Sequence, residues 1–62
     1  MGKYEDLARR VILYRARHRL SQAEFAELAG VSRTTISHLE SAPQKMKLRK
    51  ITVLRIEDAM AE

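Results

Sequence analysis

Ser21-Gln22-Ala23-Glu24-Phe25-Ala26-Glu27-Leu28-Ala29-Gly30-Val31-Ser32-Arg33-Thr34-Thr35-Ile36-Ser37-His38-Leu39-Glu40-Ser41 is the stretch that decides the fold of this chain. Ser21-x-x-Glu24 is a capping box, in which the serine hydroxyl and the glutamate carboxylate each satisfy a backbone amide left open at a helix start. The helix it opens is expected to bury Phe25, Ala26, Leu28 and Ala29, with Ala26 small where another helix crosses closely. Gly30 ends that helix, because a left-handed backbone costs glycine little. Val31 packs inward, and Ser32 caps a second helix running to about Leu39, with Ile36 and Leu39 inward at i, i+3. The outward face of this second helix is Arg33, Thr34, Ser37 and His38. It is polar, short-armed and nearly uncharged, whereas a merely solvated helix more often carries Glu and Lys.

Two helices crossing steeply at a glycine turn form a unit whose second helix fits a DNA major groove. The flanking sequence supplies its support. From Tyr4 to Arg19, Leu7, Val11 and Tyr14 recur at helical spacing, with Lys3, Arg9, Arg10 and Arg17 on other faces. Glu5 and Asp6 fall in the first turn and Arg15, Arg17 and Arg19 in the last, as the helix dipole prefers. Ser41-Ala42-Pro43-Gln44-Lys45 reads as the main loop, since Pro43 disfavours helix at the residue before it. Beyond it, Leu48, Ile51, Val53, Leu54, Ile56, Ala59 and Met60 spread a wide apolar surface, read as a final helix from about 47 to 61. The β-branched run Ile51-Thr52-Val53 leaves a short strand over 51–56 open. The expected architecture is all-α: a small four-helix helix-turn-helix domain over 1–62, with the motif at 21–41 and no internal repeat, low-complexity segment or linker.

Sixty-two residues form a small domain, and a chain of that size buries only about 60% of the surface its unfolded form exposes. It has no cysteine, which excludes disulfides and thiolate metal sites and fits a reducing cytoplasm. His18 and His38 stand far apart with no zinc-ligand pattern around them, so no metal or other cofactor is expected. Stability must come from closely packed helices, alone or completed by a second subunit. Tyr4, Tyr14 and Phe25 are too few for a platform that stacks single-stranded bases. No apolar run approaches the ~20 residues that span a bilayer. The N-terminus is charged almost at once and shows no signal-peptide core, and Met1-Gly2 is followed by Asp6 where a myristoylation motif needs Ser or Thr. A cytoplasmic location away from membranes is therefore expected.

The net charge of +4 is unevenly placed. Residues 1–20 carry six basic and two acidic side chains, residues 42–50 four basic and none acidic, and the motif and the last twelve residues are each acidic on balance. Basic flanks around a near-neutral reader suit a module anchored on phosphates, and ordinary solubilising charge accounts for the same pattern equally well.

Leu20-Ser21-Gln22-Ala23-Glu24-Phe25-Ala26-x-x-Ala29-Gly30-Val31-Ser32-x-x-Thr35-Ile36-Ser37-x-Leu39-Glu40 resembles the phage Cro and lambda-type repressor helix-turn-helix family, also called the xenobiotic-response-element family. The likeness is specific over residues 11–41 and weaker on either side. It implies a small helical regulator of double-stranded DNA, usually dimeric, on roughly palindromic operators, and a bacterial or phage origin. By position, the resemblance puts Gln22 on a backbone phosphate and has it brace a side chain of the second motif helix. It turns Arg33, Thr34 and His38 to base edges, gives Ser32, Thr35 and Ser41 phosphate contacts by hydroxyl or amide, and makes Arg15 and Glu40 a structural ion pair. Two departures stand out. The family commonly continues from the Glu40 position with Asn-Gly where this chain has Ser41-Ala42-Pro43, and many members continue into a fifth helix beyond this chain's end, the usual dimer interface.

Each candidate has a chemical task. Arg33, near the start of a groove-entering helix, can donate a bidentate pair to guanine O6 and N7, typically ~1–3 kcal/mol of discrimination. Thr34 offers a hydroxyl to a base or a methyl to thymine. His38, one turn on, reads a base edge when neutral and favours phosphate when protonated, while His18 reads as a helix-end residue. Of Lys45, Lys47, Arg49 and Lys50, two are expected on phosphates, with Lys45, Lys47 and Arg49 the candidates and Lys50 pointing nearly opposite Arg49. Catalysis finds no support: the hydroxyls lack an adjacent base, and Glu24, Glu27 and Glu40 have no dyad spacing. The expected function is a sequence-specific DNA-binding regulator, a repressor more than an activator because the chain leaves no room for an activation domain. A homodimer is expected through the C-terminal segment, Leu54, Ile56 and Met60 among the contacts. An antitoxin repressing its own operon fits equally. The rival class is a protein-interaction module of the same fold, binding a toxin or a polymerase subunit through that segment.

Overall fold

The computed structural model describes residues 4–61. The myristoylation check at Met1-Gly2 and the placement of Lys3 lie outside the described residues. Those residues form four α-helices, α1 (Glu5–His18), α2 (Gln22–Ala29), α3 (Arg33–Ser41) and α4 (Lys50–Met60), with one 3-10 turn at Pro43–Lys45. The fold is all-helical, and the run over 51–56 is helix throughout. Strand propensity loses there because Ile56 is fully buried and Val53 packs beside it at helical spacing.

The caps form as local chemistry dictates. Ser21 Oγ accepts from the Glu24 amide at 3.0 Å, and the Ser21 amide donates to Glu24 Oε1 at 2.8 Å. Gly30 closes α2 at φ 75°, its N–H shared between the Ala26 and Glu27 carbonyls. The first helix stops at His18, one residue early, because Arg19 adopts a left-handed conformation at φ 54°. The loop is also shorter than expected, since α3 runs on through Ser41 and Pro43–Lys45 winds into a single turn. The last helix starts at Lys50 instead of 47, because Arg49 is extended and the preceding strip is held elsewhere.

Val11, Phe25, Ile36, Leu39 and Ile56 are fully buried, so every α-helix sends at least one side chain to a common core. Tyr14 of α1 meets Phe25 of α2 edge-on with ring centroids 5.7 Å apart. One expectation fails: Leu28 is exposed. At 100° per residue it sits on the Glu24 side of α2, away from Phe25, Ala26 and Ala29. α2 packs against α3 and α4, and α1 packs against both as well. The outward side of α3 is thereby left free.

Candidate nucleic-acid interface

Ser32 takes an extended backbone, and its Oγ accepts from the Thr35 amide at 3.1 Å while lying 2.9 Å from Thr35 Oγ1. One proton of this hydroxyl pair serves the pair itself, and the other is left for an outside acceptor. The Thr35 amide is taken by Ser32 Oγ, and the Arg33 and Thr34 amides have no partner within the helix, so the cap presents donors and the positive end of the dipole together. Arg33, Thr34 and His38 are exposed and Ser37 half-buried on the side of α3 opposite Ile36 and Leu39. Aside from the Arg33 guanidinium and the His38 imidazole, this band is made of hydroxyls. Its groups are short donors and acceptors held close to a rigid backbone.

A bridge of three side chains ties α3 to α1 and α2. Arg15 Nη1 donates to both carboxylate oxygens of Glu40 at 2.9 Å, and Gln22 Nε2 donates to Glu40 Oε1 at 3.0 Å. The Glu40 side chain is only 11% exposed and that of Arg15 22%, so the pair is partly desolvated. One carboxylate thus joins α1, the start of α2 and the end of α3. A primary amide has two N–H bonds, so Gln22 spends one on Glu40 and keeps one for solvent or a phosphate. Arg15 Nε is buried without a partner, which makes the bridge dependent on its Nη1 bonds.

The remaining sequence candidates fall into two groups. Ser41 Oγ donates to the Ser37 carbonyl at 2.9 Å, so its proton is committed within α3. Lys45 at the end of the 3-10 turn, Lys47 in the extended strip and Arg49 at the α4 N-cap are all exposed. They follow α3 directly along the chain. His18 lies against Tyr14, ring centroids 4.2 Å apart, at the end of α1. Among the described residues no cluster of three His, Cys, Asp or Glu is placed to hold a metal.

Two supports escaped the sequence reading. The Tyr4 hydroxyl donates to the Leu48 carbonyl at 3.2 Å and accepts from its amide at 3.3 Å, tying the strip between Lys47 and Arg49 to the start of α1. Arg55 of α4 donates to the Gly30 carbonyl at 3.3 Å, bracing the turn between the two motif helices. A buried tyrosine hydroxyl needs a partner, which is the one signal Tyr4 gave. Its identity, 44 residues away, left no local trace.

A helix-turn-helix family profile matches residues 11–61, which takes in the capped pair, the bridge and α4. The chain belongs to the lambda-repressor/Cro-type helix-turn-helix family. It is a DNA-binding regulator in the general sense of that family, whose members are not enzymes. No curated protein and no solved structure matches the chain significantly. Among the described residues, no helix of this helix-turn-helix protein is long and apolar enough to cross a membrane.

Proposed function

We propose that this helix-turn-helix protein is a repressor that reads an inverted-repeat operator as a dimer. The observation that carries the reading is the outward band of α3: an exposed, almost uncharged polar face at a capped helix start, braced from behind by Arg15, Glu40 and Gln22. In this account Arg33, Thr34, Ser37 and His38 meet base edges. The free N–H of Gln22, the Ser32–Thr35 hydroxyl pair and the Arg33 and Thr34 amides meet phosphates on one side of the groove. Lys45, Lys47 and Arg49 supply sequence-independent affinity. Ser41 joins them only by giving up its bond to Ser37.

One module reads a few base pairs, so selectivity calls for two half-sites about one helical turn apart. Ile51 and Leu54, at i, i+3 on α4, are 52% and 46% exposed and form the candidate dimer contact. Ile56, expected there from sequence, is excluded by its complete burial, and Met60 is half-buried against the core.

Duplex titrations at several salt concentrations test the reading. Affinity is expected to fall steeply with salt, and Arg33→Ala to relax the preference at one base pair by ~1–3 kcal/mol. Salt-insensitive binding, or an Arg33→Ala variant with unchanged preference, favours a protein partner over DNA.

A further inference from the structure

Two outward faces have no part in the DNA reading, and they match each other. On α1, Arg9, Leu13 and Arg17 follow at four-residue steps and line the side opposite Leu7 and Val11, with Asp6 beside them holding Arg9 at 3.5 Å. Leu13 is 56% exposed, and the Arg17 guanidinium has no hydrogen-bond or ion-pair partner among the described residues. On α2, Glu24, Glu27 and Leu28 line the side opposite Phe25, Ala26 and Ala29. Leu28 is 57% exposed, and the Glu27 carboxylate likewise has no partner among the described residues. Glu24 holds the Ser21 amide with Oε1 and keeps its second oxygen.

We propose that the Arg9–Leu13–Arg17 face of one copy docks on the Glu24–Glu27–Leu28 face of a second copy, head to tail. Charge selects this pairing. The α1 face against itself opposes arginines to arginines, and the α2 face against itself opposes carboxylates to carboxylates. Spacing agrees with it. With Leu13 on Leu28 and the two helices antiparallel, Arg17 falls opposite Glu24 and within a turn of Glu27, and Arg9 stays with Asp6. Beside Leu13 and Arg17 opens a groove of about 230 Å³ over Tyr14 and Met60, where the Leu28 side chain seats. The two patches differ, so each docking leaves one patch of each kind unused and the assembly grows past two copies, ending only where the rotation between copies closes a ring. Exposed ion pairs contribute little each, so this association is weak and salt-sensitive.

The inference stands apart from the operator reading and is tested without DNA. Sedimentation equilibrium of the full chain at low salt, over a concentration series, reads the average mass. The expected result is a rise beyond two copies that reverses on adding salt. An α4 dimer saturates at two and so does not imitate it. Arg17→Glu and Glu27→Arg each abolish the growth, and the two together in one chain restore it. Both positions are exposed, and circular dichroism checks that the helices persist. Leu13→Ser gives the same loss by a different route should either charge variant misfold. A wild-type mass that levels off at one or two copies overturns the proposal, as does growth indifferent to both reversals or a double variant that stays unassociated.

Discussion

Glu40 is where three helices meet on one side chain, so its removal acts on the fold before it acts on any ligand. Glu40→Ala leaves the Arg15 guanidinium and the Gln22 amide partly buried without their acceptor. The expected cost is about 2–3 kcal/mol, which in a domain this small lowers the melting temperature by roughly 10–20 °C. DNA binding should weaken only in proportion to the unfolded fraction. Calorimetry with binding at a temperature where both proteins are folded checks this, and a variant that melts like the wild type contradicts it. Arg19 offers the opposite sign. It is the one non-glycine residue with positive φ among those described, a conformation that costs a side-chain-bearing residue about 1–2 kcal/mol. Arg19→Gly is expected to raise stability in chemical denaturation by ~0.5–1 kcal/mol, with no change in helix content.

The helices differ in how plainly the sequence announced them. The borders of α2 and the start of α3 were legible because their signals, Ser21 with Glu24, Gly30 and the Ser32 cap, act within four residues, whereas the end of α3 lies two residues past the Leu39 expected. The Arg15–Glu40 pair followed from the family resemblance, and the structure forms it. Leu28 was misplaced because α2 is only eight residues long and carries Phe25, Leu28 and three alanines, so apolar content alone does not choose its inward side. The start of α4 was set too early because the reason lies far away. Leu48 lies outside the helix, its amide and its carbonyl both bonded to the Tyr4 hydroxyl. Tyr4→Phe removes both bonds, and the expected loss is about 1–2 kcal/mol. If the strip from Lys47 to Arg49 anchors phosphates, the same substitution should also lower affinity for any duplex evenly and flatten its salt dependence. Duplex titration of Tyr4→Phe at two salt concentrations reads both effects.

At the scale of the whole molecule, the core uses one side of each helix and leaves specific outward faces with separate tasks. α3 carries the polar band proposed to meet bases. Ile51 and Leu54 on α4 stand apart from it as the proposed two-fold contact. Leu54→Glu is expected to leave the melting curve of the dilute protein unchanged while cutting affinity for an inverted repeat at least about tenfold, or ~1.4 kcal/mol. Affinity for a single half-site should stay the same. Equal losses on both duplexes would place Leu54 in the fold instead of the dimer.

Selection from a randomised duplex pool at near-physiological salt, followed by sequencing, tests the central claim most directly. The account predicts enrichment of an inverted repeat with half-sites about one helical turn apart, and a half-site base that loses its preference when the selection is repeated with Arg33→Ala. A folded sample that enriches no sequence would contradict it, as would an enriched site that Arg33→Ala leaves unchanged.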